Sequence, residues 1–398
     1  MNIFSERMSS LQPSVIREIF KYMADPEVIS FAAGNPAPEA FPADIIASIT
    51  TDIMRNNPIT ALQYSISEGY PPLREWVKAD LTKKGIFAPK DDDVIITSGA
   101  QQVMEVMTKL VCNEGETIIC EAPSFIGSLN AFRSYKAKLV GVPMDDEGIE
   151  LARLEAALKA NPRTAFIYLI PTFQNPTGRT MTLARRKAVL ALAKKYNVLI
   201  LEDNPYGDLR FAGEDLPTLK ELDVQSGERR VVYAGSFSKT LAPGLRVGFM
   251  CGAENMVQKA TVCIQASTVH TGILSQMITH EFVSRTNFTK HTQKLATLYK
   301  AKAKLMLDAL QFNMPHSIDF TQPEGGLFIW GTLPENANMV DFCKRAIANK
   351  IAVVPGNAFL VDERESCQSF RLNYTFPSDD KIEKGVQILS KVAKEMYK

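Results

Sequence analysis

A lysine follows one of the predicted buried strands, and two serines and an arginine lie near it in the sequence. Lys239 comes shortly after the apolar run 231–234, with Ser236 and Ser238 before it and Arg246 after it. Most lysines are solvated surface charges, so a lysine at the end of a buried strand is unusual. Burial would lower its pKa and suit it to Schiff-base chemistry, while the two hydroxyls and Arg246 would suit a phosphate dianion.

Two further predicted strand ends carry a carboxylate and an amide. Asp203 and Tyr206 follow the apolar run 198–201, and Asn175 lies in a loop rich in proline and glycine after the run 165–170. A carboxylate at such a place would point into the ligand crevice of a parallel sheet, although Asp203 before Asn-Pro also fits a plain turn. The prolines fix a rigid loop around one amide side chain, which a plain turn does not require.

A glycine turn joins a predicted strand to a predicted helix at residues 97–101. The N-terminus of a helix presents unpaired N–H groups and the positive end of the helix dipole. Ser98, Gly99, Ala100 and Gln101 are therefore candidates for holding a phosphate group. The plain alternative is that Ser98 only caps the helix.

Short β-branched runs alternate with helical patterns between about residues 92 and 252, which predicts an α/β fold. Helices are predicted at 151–159 and 183–195. The strands are predicted at 94–97, 117–120, 138–143, 165–170, 198–201, 231–234 and 247–251. Runs that are apolar on both faces and separated by helices indicate a mostly parallel, seven-stranded sheet. Ligands bind at the carboxyl ends of the strands in such sheets, where the candidate residues lie.

The pattern changes towards the C-terminus. The predicted elements there are a long helix from about 286 to 310, a segment at 326–333, a helix near 339–349, strands at 351–354 and 370–376, and a last helix from 379. This order predicts a smaller α+β domain over 287–398 that follows a large domain over 41–286. Residues 1–40 contain a predicted helix at 14–23, and we expect them to form an arm that packs on the small domain or on a second subunit.

Composition and charge narrow the possible partners. In 398 residues, 45 Lys and Arg balance 44 Asp and Glu to a net charge of +1, so no broad basic field for nucleic acid or anionic membranes is expected. No apolar run approaches the roughly 18 residues of a membrane span. The 6 cysteines form no C-x-x-C pair and the 4 histidines are scattered, which predicts no metal site and a cytoplasmic location.

The strand ends together supply a phosphate cradle, a carboxylate, an amide, a phenol and a lysine, which are the groups that pyridoxal 5′-phosphate (PLP) requires. The informative strings are Ile29-Ser-Phe-Ala-Ala-Gly34-Asn-Pro-Ala-Pro38, Asn175-Pro-Thr-Gly178, Glu202-Asp203-Asn-Pro-Tyr206, Gly235-Ser-Phe-Ser-Lys239, Leu245-Arg-Val-Gly248, Pro323-Glu-Gly-Gly326, Val354-Pro-Gly356 and Phe370-Arg-Leu-Asn373. Through these strings the sequence resembles the fold-type-I, PLP-dependent aminotransferases over nearly its whole length. It is most similar to their 2-aminoadipate and kynurenine aminotransferase branch.

The resemblance implies a role for each matching residue. Lys239 would bind PLP covalently as an imine and then carry a proton between the substrate Cα and the cofactor. Asp203 would pair with the pyridinium nitrogen, and Asn175 and Tyr206 would hydrogen-bond the ring hydroxyl. The residues implied to hold the cofactor around its phosphate are Ser98, Gly99, Ala100, Gln101, Ser236, Ser238 and Arg246.

The resemblance also implies how the substrate is bound. Arg371 would clamp the substrate α-carboxylate with two parallel charge-assisted hydrogen bonds, beside Gly34 and Asn175. Arg17 either meets the distal carboxylate of a dicarboxylic substrate or is a solvated helix arginine. Tyr64 resembles the tyrosine that reaches the phosphate from a neighbouring subunit, which implies a homodimer with shared active sites.

One position departs from the family pattern. Phe125 lies where the family commonly has a tyrosine that stacks on the cofactor ring. Phenylalanine keeps the stacking face, because stacking is a property of the ring, but it lacks the hydroxyl.

The resemblance implies an aminotransferase with ping-pong kinetics. It would move the α-amino group of an L-amino acid (2-aminoadipate, aromatic or branched and aliphatic) to a 2-oxo acid such as 2-oxoglutarate. One alternative is β-lyase activity on cysteine conjugates. A second is a serine acyltransferase, because Ser236-Phe-Ser-Lys239 fits S-x-x-K, although S-D-N and K-T-G are missing. A third is a PLP-sensing regulator, for which we expect no room before residue 29.

Overall fold

The computed structural model describes residues 5–9, 25 and 27–397. The predicted helix at 14–23 and Arg17 lie outside the described residues. The described α-helices are Glu6–Ser9, Ala43–Asn56, Pro58–Leu62, Pro71–Lys83, Ala100–Val111, Ile126–Ser134, Leu151–Ala160, Leu183–Tyr196, Leu219–Ser226, Glu254–Gln265, Ile273–Arg285, Phe288–Asn313, Met339–Ala348 and Asp379–Met396. The described strands are β1 (Ile29–Ser30), β2 (Asp92–Thr97), β3 (Thr117–Ala122), β4 (Lys138–Asp145), β5 (Gly148–Ile149), β6 (Thr164–Leu169), β7 (Leu199–Asp203), β8 (Val231–Ser236), β9 (Gly248–Ala253), β10 (Asp319–Phe320), β11 (Phe328–Thr332), β12 (Ile351–Ala352), β13 (Val354–Pro355) and β14 (Ser369–Asn373).

The large sheet has the strand order β2-β9-β8-β7-β6-β3-β4-β5. The central strands β8, β7, β6, β3 and β4 are parallel, whereas β9 and the two-residue β5 run against their neighbours. The prediction of an α/β fold with a mostly parallel sheet is therefore confirmed. All seven predicted strands are present, and β5 is added at one edge.

Both faces of the large sheet are buried. Neighbouring residues of one strand, such as Ile118 and Ile119 in β3, belong to two different core clusters, and so do Ile200 and Leu201 in β7. Successive side chains of a strand point to opposite faces, so each face has its own apolar layer covered by helices. With both faces covered, ligand access is left to the ends of the strands.

The antiparallel strand β9 brings the candidate phosphate-binding segments together. Its first residue, Gly248, pairs with Thr97 at the end of β2 and with Ser236 at the end of β8. A Cβ atom at this position would lie 2.7 Å from the carbonyl carbon of Gly99 and 2.9 Å from the carbonyl oxygen of Gly235. Only glycine allows the two strand ends to approach this closely.

A second, antiparallel sheet has the order β10-β11-β14-β13. The helices Phe288–Asn313 and Asp379–Met396 contribute to the core that contains this sheet. Ile29 and Phe31 are buried in the same core, and β1 pairs in parallel with β12 through Ile29 and Ile351. The domain boundaries after residues 40 and 286 stay predictions.

Two predicted strands differ from the structure. The prediction of one strand over 351–354 is wrong, because β12 pairs with β1 while β13 pairs with β14 in the small sheet. The strand predicted at 370–376 ends at Asn373. The side-chain oxygen of Asn373 accepts hydrogen bonds from the backbone N–H groups of Thr375 and Phe376, and these bonds turn the chain out of the sheet. In the described part of the chain, no helix is long and apolar enough to cross a membrane.

Candidate active site

A cavity of about 770 Å³ lies at the carboxyl ends of β7 and β8. Asp203 is the last residue of β7 and Ser236 the last of β8, so the parallel strands bring them to one edge of the sheet. The predicted site residues that line the cavity are Gly34, Ala100, Gln101, Phe125, Asn175, Asp203, Tyr206, Ser236, Ser238, Lys239, Arg246 and Arg371. Of the others, Ser98 and Gly99 contact Arg246 beside the cavity. Tyr64 lies on the surface, 81% exposed, with its ring edge-on to His270.

The amine of Lys239 lies among charged groups of the cavity. Its Nζ donates a hydrogen bond to the carbonyl oxygen of Gly34 at 2.7 Å. Burial and the positive charges of Arg371 and Arg246 lower the pKa of Lys239 to about 8, although Asp203 opposes this shift. A substantial fraction of the amine is thus neutral near pH 8, and a neutral amine can attack a carbonyl group.

The carboxylate of Asp203 is buried and has one free oxygen. Oδ2 accepts a hydrogen bond from the Tyr168 hydroxyl at 2.8 Å, whereas Oδ1 has no partner among the described residues. Burial raises the pKa of Asp203 to about 7, while the Tyr168 hydrogen bond and the charge of Lys239 act in the opposite direction. A free carboxylate oxygen in a buried site fits a cationic N–H donor such as a protonated pyridine nitrogen.

A buried arginine occupies the side of the cavity formed by the small sheet. Arg371, in β14, is 2% exposed and lies 4.2 Å from the centre of the Phe328 ring. It donates hydrogen bonds to Oδ1 of Asn175 at 2.8 Å and to the carbonyl oxygen of Ala32 at 2.7 Å.

The Arg371 guanidinium retains binding capacity. Its Nε has no hydrogen-bond partner among the described residues, and Arg371 forms no ion pair with any of them. Burial lowers its pKa to about 10, so the guanidinium stays charged at neutral pH. A buried cation without a counter-ion suits an anionic ligand that can accept two parallel hydrogen bonds, such as a carboxylate.

The amide of Asn175 connects Arg371 to a phenol. Its Nδ2 donates a hydrogen bond to the Tyr206 hydroxyl at 3.3 Å, while its Oδ1 accepts from Arg371. Burial raises the pKa of Tyr206, so the phenol remains protonated and able to donate a hydrogen bond. An amide and a phenol side by side can hold an oxygen atom of a ligand ring.

The ends of β2, β8 and β9 in the large sheet bring to the cavity the groups suited to a phosphate. Nη1 of Arg246 donates to Oγ of Ser238 at 3.4 Å, and its Nη2 donates to the carbonyl oxygen of Ser98 at 3.2 Å. Gly99 has φ = 76° and precedes the helix Ala100–Val111. A Cβ atom on Gly99 would clash with Nη2 of Arg246, so the glycine lets the guanidinium approach the helix N-terminus.

One aromatic and one amide side chain complete the wall of the cavity. Phe125, half-buried, precedes the helix Ile126–Ser134 and is one of the residues that line the cavity. Gln101 uses its amide to donate a hydrogen bond to the carbonyl oxygen of Gly127 at 2.8 Å. This bond ties the helix Ala100–Val111 to the segment that carries Phe125.

The prediction missed two buried polar groups near the cavity. Tyr168, within β6, is the hydrogen-bond donor to Asp203. Glu121, in β3, is 1% exposed and accepts hydrogen bonds from the backbone N–H of Ile170 and from the amide of Gln174. Burial raises the pKa of Glu121 to about 7. A carboxylate directly after an apolar run was the available signal for Glu121, as it was for Asp203.

Known proteins are similar to this chain in sequence and in fold. A family model described as aminotransferase class I and II matches residues 26–389. The chain is 38% identical to aromatic-amino-acid aminotransferase 1 of Thermococcus litoralis, over 99% of this chain and 95% of that protein. It is 37% identical to 2-aminoadipate transaminase of Thermus thermophilus, over 98% of this chain and 96% of that protein.

A solved structure agrees with these matches. The crystal structure of Pyrococcus horikoshii kynurenine aminotransferase, in complex with PMP and with KYN and KYA as substrates and products, superposes with a TM-score of 0.94. The two chains are 37% identical, and the match covers 100% of this chain and 98% of that one. These comparisons confirm the predicted family, fold and cofactor, and they give no support to the β-lyase or serine acyltransferase alternatives. The chain belongs to the class I and II aminotransferases, whose cofactor is PLP.

Proposed function

We propose that this aminotransferase moves the α-amino group of a bulky L-amino acid, such as an aromatic amino acid or 2-aminoadipate, to 2-oxoglutarate or a similar 2-oxo acid. Branched and larger aliphatic donors, such as leucine, are included in the proposal. The observation that carries it is that Lys239, Asp203 and Arg371 line one cavity, where Oδ1 of Asp203 and Nε of Arg371 have no hydrogen-bond partner among the described residues. The names of the relatives support the choice of donors.

Three residues would handle the cofactor ring. When bound, PLP delocalises the negative charge that develops at the substrate Cα. Lys239 would attach the cofactor and, once released, take the proton from Cα and return it, a role that its lowered pKa of about 8 supports. Oδ1 of Asp203 would accept the N–H of the protonated ring nitrogen, and Tyr206 would hold the ring hydroxyl.

The phosphate and the substrate carboxylate would be held by different sets of residues. Arg246, with Ser98, Ser236 and Ser238, would bind the phosphate dianion, because these groups gather at a helix N-terminus. Arg371 would bind the α-carboxylate of the substrate.

The same arginine supports ping-pong kinetics. An amino acid and a 2-oxo acid both carry the α-carboxylate that Arg371 would bind, and both would use the one cavity. The first product must then leave before the second substrate enters. Arg17 keeps its proposed role at a distal carboxylate on the resemblance alone, since it lies outside the described residues.

We further propose that the active form is a cytosolic homodimer. Ile59, Leu62 and Tyr64 are 79%, 70% and 81% exposed, and apolar side chains that protrude in one short segment favour a protein interface. Tyr64 would contact the phosphate of the neighbouring subunit. The 6 cysteines are all free, which fits a reducing compartment.

The proposal is tested with the PLP-loaded enzyme. We expect a visible absorbance band that borohydride reduction removes, and conversion of the bound cofactor by an amino donor in the absence of any oxo acid. Aromatic, 2-aminoadipate, leucine and alanine donors are then ranked by kcat/KM with 2-oxoglutarate. The donor proposal is overturned if alanine equals the bulky donors, and ping-pong kinetics are overturned if no half-reaction occurs without an acceptor.

A further inference from the structure

A chain of three hydrogen-bonded side chains leads from the core of the large sheet to Asp203. The Ser128 hydroxyl donates to the hydroxyl oxygen of Tyr168 at 2.8 Å, and the Tyr168 hydroxyl donates to Oδ2 of Asp203 at 2.8 Å. Ser128 and Tyr168 are 0% exposed and Asp203 is 4% exposed. Ser128 and Tyr168 are therefore out of contact with bulk water, and the hydrogen bond from Tyr168 holds one carboxylate oxygen of Asp203. Among the described residues Oδ1 has no partner, and Asp203 lines the cavity.

The sheet register explains why a tyrosine is needed. Tyr168 of β6 pairs with Leu201 of β7, and Asp203 lies two residues further along the same face of β7. A diagonal neighbour of this kind is reached by an aromatic side chain but not by a short one. The ring of Tyr168 packs edge-on against Phe132 with 5.2 Å between the ring centres, which fixes the direction of its hydroxyl.

The hydrogen-bond chain affects the protonation state of Asp203. Burial and the nearby Asp203 raise the pKa of Tyr168 far above its usual value, so its hydroxyl remains a donor over the working pH range. Burial alone would favour the protonated form of Asp203, and the Tyr168 hydrogen bond is the first effect that opposes it. A protonated Asp203 has no charge with which to hold a ring cation.

We propose that Tyr168, supported by Ser128, is a positioning residue that keeps Asp203 ionised and its Oδ1 directed at the ring nitrogen of PLP. Its action passes entirely through Asp203, so the inference rests on the proposed function of Asp203. Ser128 contributes because its donated hydrogen bond increases the donor strength of the Tyr168 hydroxyl.

The test uses Tyr168→Phe, which keeps the ring and its packing and removes only the hydroxyl. Two quantities that do not depend on turnover are measured in the PLP-loaded enzyme: the pH midpoint of the visible absorbance change of the bound cofactor, and the Kd for PLP. A positive ring nitrogen disfavours a second positive charge on the linkage to Lys239. If Asp203 pairs less strongly with the ring nitrogen, the linkage keeps its proton to a higher pH and the midpoint rises. We expect an upward shift of about half a pH unit or more and a PLP Kd about tenfold higher.

Two further variants separate a positioning role from a structural one. Ser128→Ala should move the midpoint in the same direction by less. Tyr299→Phe removes a hydroxyl from a fully buried tyrosine that makes no hydrogen bond to Asp203, and it should leave the midpoint at the wild-type value.

The outcomes distinguish the inference from the proposed function. If Tyr168→Phe keeps the wild-type midpoint and PLP affinity, or only lowers the Tm, the role of Tyr168 is overturned. If Ser128→Ala behaves as wild type, the three-residue chain is overturned. If the wild-type enzyme gains no visible band with PLP, it is the covalent role of Lys239 that fails instead.

Discussion

Arg371 donates a hydrogen bond to Oδ1 of Asn175 over 2.8 Å, although 196 positions separate the two residues in the sequence. Arg371 lies in β14 of the small sheet, while Asn175 lies in the loop after β6 of the large sheet. The same guanidinium donates to the carbonyl oxygen of Ala32, in the segment after β1. Three distant parts of the chain therefore meet at the cation that we propose binds the substrate, and its position depends on how the two sheets pack together.

Arg371→Lys should reduce kcat/KM about 100-fold for every α-amino acid donor. Lysine keeps the positive charge but loses the planar fork that donates two parallel hydrogen bonds to a carboxylate. The measurement is steady-state kinetics with a panel of donors, and Arg364→Lys, at an arginine whose side chain is 89% exposed, is the matched control. A uniform loss across donors identifies the α-carboxylate as the ligand, whereas loss confined to donors with a second carboxylate would contradict this role.

The strand ends of the site could be predicted because their signals are local. The apolar runs before Asp203 and Lys239 identify buried strands, and parallel strands bring their carboxyl ends to one edge of a sheet. In the structure both residues line the same cavity. Their proximity to Arg371 is a different matter, because it depends on the packing of the small sheet, and only the resemblance to a family supplied it.

The partner of Asp203 could not be predicted from the sequence. Alternation along β6 indicates which face Tyr168 points to, but not whether its hydroxyl reaches the neighbouring strand.

The helix Ile273–Arg285 was not predicted either, because Gln276 and Thr279 are buried on it beside Met277 and Ile278. A helix with buried polar residues lacks the amphipathic pattern from which helices are predicted.

The rate at which PLP attaches to the apo-enzyme should rise with pH up to about 8 and level off above it. The pKa of Lys239 is lowered to about 8 by burial and by the charges of Arg371 and Arg246, and only the neutral amine attacks the aldehyde of PLP. The growth of the visible absorbance band is followed between about pH 6.5 and 10. Arg371→Gln removes one of the positive charges and should move the midpoint upwards. A wild-type rate that keeps rising steeply to pH 10 would mean that Lys239 has an ordinary pKa.

Glu121→Gln should raise the Tm relative to the wild type, and this gain should be larger at pH 8 than at pH 5. Burial raises the pKa of Glu121 from its ordinary value of 4.5 to about 7, so the folded protein holds a proton that the unfolded chain releases in this range. Stability from this group is complete below about pH 4.5 and is lost as the pH rises to about 7. The loss amounts to about 3 kcal/mol, which the glutamine avoids because it does not ionise.

The measurement for Glu121 is the Tm difference between variant and wild type across this pH range. Glu335→Gln, at an exposed glutamate, is the control and should show a nearly constant difference. A pH-independent difference for Glu121→Gln would mean that the carboxyl group stays ionised in the folded protein.

Shared active sites predict that two inactive variants restore each other. Lys239→Ala alone should lower kcat at least about 1,000-fold, because it removes the group that moves the proton at Cα. Tyr64→Ala alone should weaken PLP binding, since the ring that is 81% exposed in one subunit would contact the phosphate of the other. In a hybrid dimer, the site that uses Lys239 of the Tyr64→Ala chain receives the intact Tyr64 of its partner.

Random mixing makes half of the dimers hybrids with one intact site each, so the mixture should recover about a quarter of the wild-type activity at a PLP concentration that leaves both parents inactive. The two variants are unfolded and refolded together, and separately refolded samples mixed afterwards serve as the control. If Tyr64 served the site of its own chain, neither site of the hybrid would be intact. The site of the Lys239→Ala chain would lack the lysine and stay inactive, and the site of the Tyr64→Ala chain would lack the tyrosine and bind PLP weakly. Refolding together would then give no gain, and the shared-site proposal would be wrong.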